Sequence, residues 1–149
     1  MNMRNRSAAL MVTVMMFGCT HSSGQTVTIA LLATPRNTGE IANVTLASQG
    51  QETAFTFIIS GVPSGTLSPL NLYSSIHKGS CKQPGPVAYT MNDRINTSRI
   101  SDTGGWTYSR SAPVAMSELF STGYSVVVTT TPADGNVDIF CGDIKQPAN

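Results

Sequence analysis

Apolar and polar residues alternate along most of this chain in short runs that are typical of β-strands. Residues 27–31 (VTIAL), 41–47 (IANVTLA) and 54–60 (AFTFIIS) mix β-branched or aromatic residues with polar or small residues at alternate positions. Further runs of this kind occupy residues 70–77, 87–91, 105–109, 124–130 and 137–141. The pattern predicts about eight short strands.

Turn-forming residues separate these runs. Residues 34–37 (TPRN), 48–50 (SQG) and 61–65 (GVPSG) contain the proline, glycine and asparagine that turns favour. Short strands joined by such turns predict an all-β fold, an antiparallel sandwich or barrel. Residues 115–121 predict a helical turn that is expected to be too short to contribute to the core. The polar residues 92–105 are expected to form a surface loop.

One aromatic pair bears on the core. Trp106 and Tyr108 lie two residues apart, so their side chains point to the same face of the strand predicted for residues 105–109. Core packing is the favoured interpretation, since a lone tryptophan in a small β domain is usually needed for packing. The alternative is the edge of an exposed binding patch.

The N-terminal segment lacks this alternation. Arg4 and Arg6 precede an apolar run over residues 8–17, and no acidic residue occurs before Glu40. A basic start followed by a short apolar run is the layout of a secretory signal peptide. The run is too short to cross a bilayer, which takes about 20 residues. We expect residues 1–18 to be removed on export.

The end of this segment predicts a lipid anchor. Gly18 and Cys19 resemble a bacterial lipobox, in which a small residue precedes the lipid-modified cysteine, although lipoboxes usually carry other residues where this chain has Met16 and Phe17. Acylation such as palmitoylation of Cys19 would hold the chain firmly on a membrane. We therefore expect residues 19–25 to be a lipidated N-terminus and flexible tether. The expected location is the cell envelope, on the periplasmic or surface face of the outer membrane if the organism is Gram-negative.

The charge balance narrows the choice of partners. The chain has nine basic and eight acidic residues, a formal net charge of +1, and loses Arg4 and Arg6 with the signal peptide. A nearly neutral domain gives no reason to expect nucleic acid as a partner. Residues 26–149 have the length of one domain. They contain no Gly-rich phosphate loop and no Cys-x-x-Cys motif.

Two fragments around cysteines, residues 76–81 (IHKGSC) and 140–144 (FCGDI), are the most specific motifs in the chain. Together with residues 61–65 (GVPSG), 84–87 (PGPV) and 123–129 (GYSVVVT), they resemble the copper/zinc superoxide dismutase family over most of the chain. The resemblance implies a Greek-key β-barrel of that type over residues 26–149. Such a barrel would have about eight antiparallel strands.

The resemblance also implies a disulfide bond between Cys81 and Cys141. An exported protein meets an oxidising compartment, in which paired cysteines are the default. Three cysteines leave one unpaired, and the odd one would then be Cys19, which acylation consumes.

Most of the family's metal ligands are missing from this chain. The family's His-x-His pair falls on Ser75 and His77, and a later copper ligand falls on Thr129. Asp138 stands where the family places an arginine that draws superoxide towards copper, so the sign of the charge is reversed. Copper needs several imidazoles and zinc about four N, S or O donors, so no catalytic residue, bound metal or other cofactor is expected.

His77 keeps two interpretations. It is a possible residual metal contact, completed by a second molecule or by a methionine such as Met91 or Met116. The favoured alternative is a ring hydrogen bond to a backbone group that holds the following loop. His21, the other histidine of the exported chain, is expected to be a solvated residue of the tether.

These observations predict a non-enzymatic envelope lipoprotein whose metal-free domain, similar to superoxide dismutases, has a binding or structural role. Its expected partners are the membrane, reached through the N-terminal lipid, and a protein or small molecule that the sequence does not identify. Loops such as residues 92–105 would present the binding surface. The alternative is a divergent copper/zinc superoxide dismutase or a periplasmic copper-binding protein.

Overall fold

The computed structural model describes residues 24–91, 98–100 and 104–147. A short helix, α1 (Met116–Ser121), and two 3-10 turns, Pro35–Asn37 and Pro132–Asp134, accompany the strands in this part of the chain. The described strands are, in chain order, β1 (Thr26–Ala33), β2 (Ala42–Gln49), β3 (Glu52–Ile59), β4 (Leu72–Ser80), β5 (Gln83–Thr90), β6 (Ser98–Ile100), β7 (Gly105–Ala112), β8 (Tyr124–Thr130) and β9 (Asp138–Ile144).

The described strands form one antiparallel sheet with the order β5-β4-β8-β9-β1-β2-β3-β7-β6. Strand β1 joins two halves of this sheet, because its residues 26–31 pair with β2 whereas Leu32 and Ala33 pair with β9. We call β1, β2, β3, β7 and β6 the first half, and β5, β4, β8 and β9 the second half. The sheet curls like half of a barrel, so that the inward faces of the two halves enclose one core.

Strict alternation produces this core. In β3, Phe55, Phe57 and Ile59 are fully buried, and the residues between them face outward. Phe57 stacks on Tyr108 of β7, with ring centroids 4.6 Å apart. Val126 in β8 contributes from the second half of the sheet. Each large apolar side chain buried in this way stabilises the fold by about 2 kcal/mol.

The all-β prediction is confirmed. Each of the eight predicted runs overlaps a strand, and the eight long strands have seven to nine residues. Tyr108 is buried, and Trp106 is half-buried and packs against the core, so the interpretation of this pair as core residues is also confirmed.

Two expectations were wrong. Helix α1 does contribute to the core, because Met116 and Leu119 are buried there. The segment predicted as a surface loop contains β6, which pairs with β7 from Ser98 to Ile100. Residues 92–97 and 101–103, the rest of the predicted loop between β5 and β7, lie outside the described residues.

No helix within residues 24–91, 98–100 and 104–147 combines the length and the apolar character needed to cross a membrane. The predicted signal peptide, Cys19 and His21 lie outside the described residues. The lipid anchor therefore remains a prediction from the sequence.

Candidate functional site

The positions that the sequence resemblance assigns to metal ligands lie on the outward face of the second half of the sheet. In β4, Ser74 and Ile76 are buried, and Ser75 and His77 between and after them are only partly buried. Since successive side chains of a strand point to opposite faces, Ser75 and His77 share the outward face. Thr129 of β8 pairs with Tyr73 of β4 and lies on the same face.

Both ring nitrogens of His77 have partners within the protein. Nδ1 lies 3.0 Å from the carbonyl oxygen of Gly85, and Nε2 lies 3.0 Å from the Ser75 hydroxyl oxygen. A carbonyl can only accept, so Nδ1 carries the proton, and in a neutral ring Nε2 accepts from the Ser75 hydroxyl. The ring thus bridges β4 and β5 through a backbone group, which is the contact that the favoured sequence interpretation describes.

The hairpin that contains His77 is short and irregular. Ser80 pairs with Gln83, so only Cys81 and Lys82 connect β4 to β5. The register between the two strands shifts on either side of His77, and Gly79 follows with a φ of 88°. The Gly85 carbonyl can reach the ring because the hairpin bends at this point.

A disulfide bond holds the end of this hairpin to β9. Cys81 and Cys141 form this bond, with their Cα atoms 5.8 Å apart and a sequence separation of 60. The backbone N–H of Cys81 also donates to the Asp143 carboxylate at 2.8 Å. The pairing that the resemblance implied is therefore present, and it links the end of β4 to β9, which lies beyond β8 in the sheet.

Thr129, the third position that the resemblance assigns to a metal ligand, is also hydrogen-bonded within the protein. The Thr129 hydroxyl donates to Oδ1 of Asp138 at 2.9 Å, across the β8–β9 pair. By the resemblance, Thr129 would take the place of an imidazole and Asp138 that of a cation, and these two side chains are hydrogen-bonded to each other. This pair adds a carboxylate, and no imidazole, to the outward face.

These side chains do not provide a site for copper or zinc. Within residues 24–91, 98–100 and 104–147, no group of three or more His, Cys, Asp or Glu side chains lies close enough to hold a metal ion. Met91 and Met116 are buried in the core, on the opposite face of β4 from His77, so neither sulfur is placed to complete a site with that ring. One imidazole flanked by hydroxyls does not match the donors that either metal requires.

A second polar cluster, which sequence reasoning missed, lies inside the core. The hydroxyls of Ser74 in β4 and Tyr108 in β7 are 3.1 Å apart, and both residues are buried. The Arg110 guanidinium lies 4.6 Å from the centre of the Tyr108 ring, and its Nη2 donates to the Leu72 carbonyl at 3.0 Å. These contacts join the first half of the sheet to the second across the core.

The chemistry of this cluster indicates a structural role. Burial raises the pKa of the Tyr108 phenol well above its ordinary value, and the Ser74 hydrogen bond and the Arg110 charge only partly oppose this. The phenol is therefore neutral at physiological pH. A signal for Arg110 existed in the sequence, because the alternation that turns Trp106 and Tyr108 inward continues to residue 110.

A scan against protein-family models finds no match to this chain, and a search of curated proteins finds no matching sequence. The resemblance to superoxide dismutases therefore rests on the sequence motifs at residues 61–65, 76–81, 84–87, 123–129 and 140–144. The disulfide bond and the all-β sheet are compatible with it.

Proposed function

We propose that this chain is a non-enzymatic lipoprotein of the cell envelope, whose β domain is related to copper/zinc superoxide dismutases and has a binding or structural role. The observation that carries the proposal is the set of side chains at the three ligand positions. The His77 ring is hydrogen-bonded to the Ser75 hydroxyl, and the Thr129 hydroxyl is hydrogen-bonded to the Asp138 carboxylate.

Three features of the fold support the relation to superoxide dismutases. The eight long antiparallel strands match the number that the resemblance implies. Cys81 and Cys141 form the expected disulfide bond. Ser75, His77 and Thr129, which come from two strands, lie on the same outward face of the sheet.

The same face supports a role without metal. An Nδ1–H donated to a carbonyl also orients the histidines that bind metals, so the hydrogen bond to Gly85 does not by itself decide the function of His77. The small number of nitrogen donors among the described residues of this face supports a role of His77 without metal. Only Cys81 and Lys82 connect β4 to β5, and no histidine occurs between Cys81 and Thr129, where the resemblance would place the family's zinc ligands. Asp138 would repel a superoxide anion.

The proposed address rests on the N-terminal sequence and agrees with the disulfide bond. Arg4, Arg6 and the apolar run that ends at Cys19 have the layout of a lipoprotein signal. A disulfide bond that closes 60 positions of chain is typical of a protein that folds in an oxidising compartment.

Metal analysis tests the proposal directly. The full chain, purified in a mild detergent, is incubated with cupric ions, dialysed, and analysed for bound copper and for acceleration of superoxide decay. We expect substoichiometric copper and no acceleration, and we expect the His77→Ala variant to give the same values. One tightly bound copper per chain that is lost in His77→Ala would support the alternative of a divergent dismutase or copper-binding protein.

A gain-of-binding variant provides the matched control. In Ser75→His plus Thr129→His, imidazoles return to the two altered ligand positions beside His77. If the fold relation holds, this double variant binds more copper than the natural chain under the same conditions. Equal copper binding by both proteins would count against the relation to superoxide dismutases, whereas the absence of metal from the natural chain would still stand.

A further inference from the structure

All three lysines of the chain lie at one end of the second half of the sheet. Lys78 is near the end of β4, Lys82 is in the two-residue connection to β5, and Lys145 directly follows β9. The register places them at the same end, because Lys78 pairs with Tyr124 of β8 and Tyr124 pairs with Ile144 of β9. All three lysine side chains are exposed. We call this group of three residues the lysine end.

The lysine end keeps a positive charge after its nearest carboxylate is counted. Asp143 lies 3.4 Å from Lys145 and offsets that one lysine. In the described part of the chain, Lys78 and Lys82 have no carboxylate within ion-pairing distance. Three lysines and one aspartate give this end of the second half a formal charge of +2.

The other acidic residues of the described chain lie elsewhere. Glu52 begins β3, and Glu118 is in α1, which contacts β2, so both belong to the first half. At the opposite end of the second half, Asp134 precedes β9 and Asp138 begins it, and Arg36 offsets only one of these two charges. The second half is therefore positive at one end and negative at the other, which the small net charge of the whole chain conceals.

The N-terminal segment enters the domain at the positive end. Strand β1 is antiparallel to β9 and starts at Thr26, so Thr26 lies at the end of the sheet where β9 finishes. The backbone N–H of Ser48 donates to the Gln25 carbonyl, which attaches the chain to the sheet as far as residue 25. Cys19, the predicted site of acylation, is six residues earlier, and six residues span at most about 20 Å. A lipid on Cys19 would therefore hold this end of the domain near the membrane.

We infer that the lysine end lies against an anionic membrane surface, so that the opposite end of the domain points away from the membrane. The inference rests on the lipid anchor of the proposed function. Charge alone would fit any polyanion, and the short tether is what favours a membrane.

The range of the electrostatic attraction supports this orientation. Each basic residue close to an anionic membrane strengthens binding about fivefold. The attraction decays over about 8 Å at physiological ionic strength. Strand β9 has seven residues and is about 23 Å long, so the aspartates at its far end lie outside this range when the lysines lie within it.

Amine labelling tests the orientation. The full chain is placed in vesicles of phosphatidylcholine, with or without phosphatidylglycerol as the anionic lipid, and treated with an uncharged amine-reactive reagent. Mass spectrometry then gives the labelling rate of each lysine. We expect Lys78 and Lys82 to be labelled at least about fivefold more slowly on the anionic vesicles. Salt at about 1 M, which shortens the screening length to about 3 Å, should remove this protection.

Arg36→Lys is the matched control, because it places an amine at the opposite end without changing the charge. We expect that amine to be labelled at the same rate on both kinds of vesicle. In the double variant Lys78→Gln plus Lys82→Gln, Lys145 should lose its protection, since most of the attraction is gone. Arg36→Gln should leave the protection of Lys145 unchanged.

Equal labelling of the three lysines on anionic and neutral vesicles would overturn the inference, as would equal protection of the amine in Arg36→Lys. Slower labelling in the presence of a soluble polyanion such as dextran sulfate, with no effect of the anionic vesicles, would also overturn it and assign the lysine end to a polysaccharide.

The mass of the N-terminal peptide tests the lipid anchor separately. If Cys19 carries no acyl chain, the anchoring in the proposed function is wrong. The chain is then coupled to a maleimide lipid through the Cys19 thiol, and the same labelling decides whether the lysine end faces the anionic surface.

Discussion

The two halves of the sheet differ in regularity. In the first half, β2 and β3 pair through eight successive residues and β3 and β7 through seven, without interruption. In the second half, the register shifts twice between β4 and β5, around His77, and once between β8 and β9, after Val128. The disulfide bond and the His77 and Thr129 hydrogen bonds also lie in the second half.

This difference suggests two sources of stability. The first half depends on alternating apolar side chains and an unbroken ladder of backbone hydrogen bonds. Because many similar contacts contribute, the loss of one of them should have a small effect on stability. The second half depends on a few specific bonds at positions where the ladder is interrupted. Three of the motifs that resemble superoxide dismutases, residues 76–81, 84–87 and 123–129, include those interruptions, and such irregularities can redirect side chains of a sheet.

The largest effect should come from the disulfide bond. Cys81 and Cys141 close 60 positions of chain, for which the chain-entropy model gives about 4 kcal/mol of stabilisation. Reduction should lower the free energy of unfolding by about this amount in urea denaturation. Hydrogen exchange should then show loss of protection in β4, β5 and β9 before β2 and β3.

The double variant Cys81→Ser plus Cys141→Ser is the control for the reductant. It should match the reduced natural chain in stability. Equal loss of protection in both halves would contradict the division of the sheet into an interrupted half and a regular one.

A smaller effect is expected from Leu119→Ala in α1, which contacts β2 of the first half. Leu119 is fully buried, so removing its side chain leaves a cavity and should cost about 3 kcal/mol. Glu118→Ala, at an exposed neighbour, should change stability by less than about 0.5 kcal/mol. Urea denaturation compares them, and similar midpoints for the two variants would show that α1 does not complete the core.

Alternation along the sequence predicted the strands, because one buried face requires an apolar residue at every second position. The alternation did not predict the burial of Leu119, because a helix of six residues is too short to show a clear hydrophobic period. Whether its side chains are buried depends on the strands that pack against it. The resemblance of the motifs predicted that Cys81 pairs with Cys141, and the disulfide bond between them is present. The contact between Ser74 and Tyr108 could not be predicted, because it joins residues 34 positions apart whose distance depends on how the sheet curls.

Glycine substitutions compare the turns of the two halves. Gly79 has a φ of 88°, and a Cβ there would lie 2.5 Å from the backbone oxygen of Gln83. Gly50, in the β2–β3 turn, has a φ of 74° and open space around it. Gly50→Ala should cost about 1 kcal/mol for the left-handed backbone, whereas Gly79→Ala should cost roughly 2 kcal/mol because the clash adds to it.

Thermal unfolding of both glycine variants measures the difference. If Gly50→Ala were as destabilising as Gly79→Ala, the β4–β5 hairpin would be no more constrained than the β2–β3 turn. The comparison between the halves would then rest on the register shifts, the disulfide bond and the His77 and Thr129 hydrogen bonds.

The smallest effect is expected from Tyr108, which lies in the first half of the sheet and is hydrogen-bonded to Ser74 in the second half. Burial raises its pKa in the folded protein above the value of about 10 expected in the unfolded chain. Between these two values the folded state holds a proton that the unfolded state has lost, so rising pH favours unfolding. The contribution is fully present below pH 10, and above it stability should fall by about 1.4 kcal/mol for each pH unit.

Tyr108→Phe isolates this term because it keeps the ring that stacks on Phe57 and removes the ionisable hydroxyl. At pH 7 the variant should be less stable by about 1 kcal/mol, since the hydrogen bond to Ser74 is lost. Above pH 10 its free energy of unfolding in urea should decline less steeply than that of the natural chain. Parallel declines would mean that burial does not hold the Tyr108 phenol neutral and that its hydrogen bond to Ser74 makes no contribution that depends on pH.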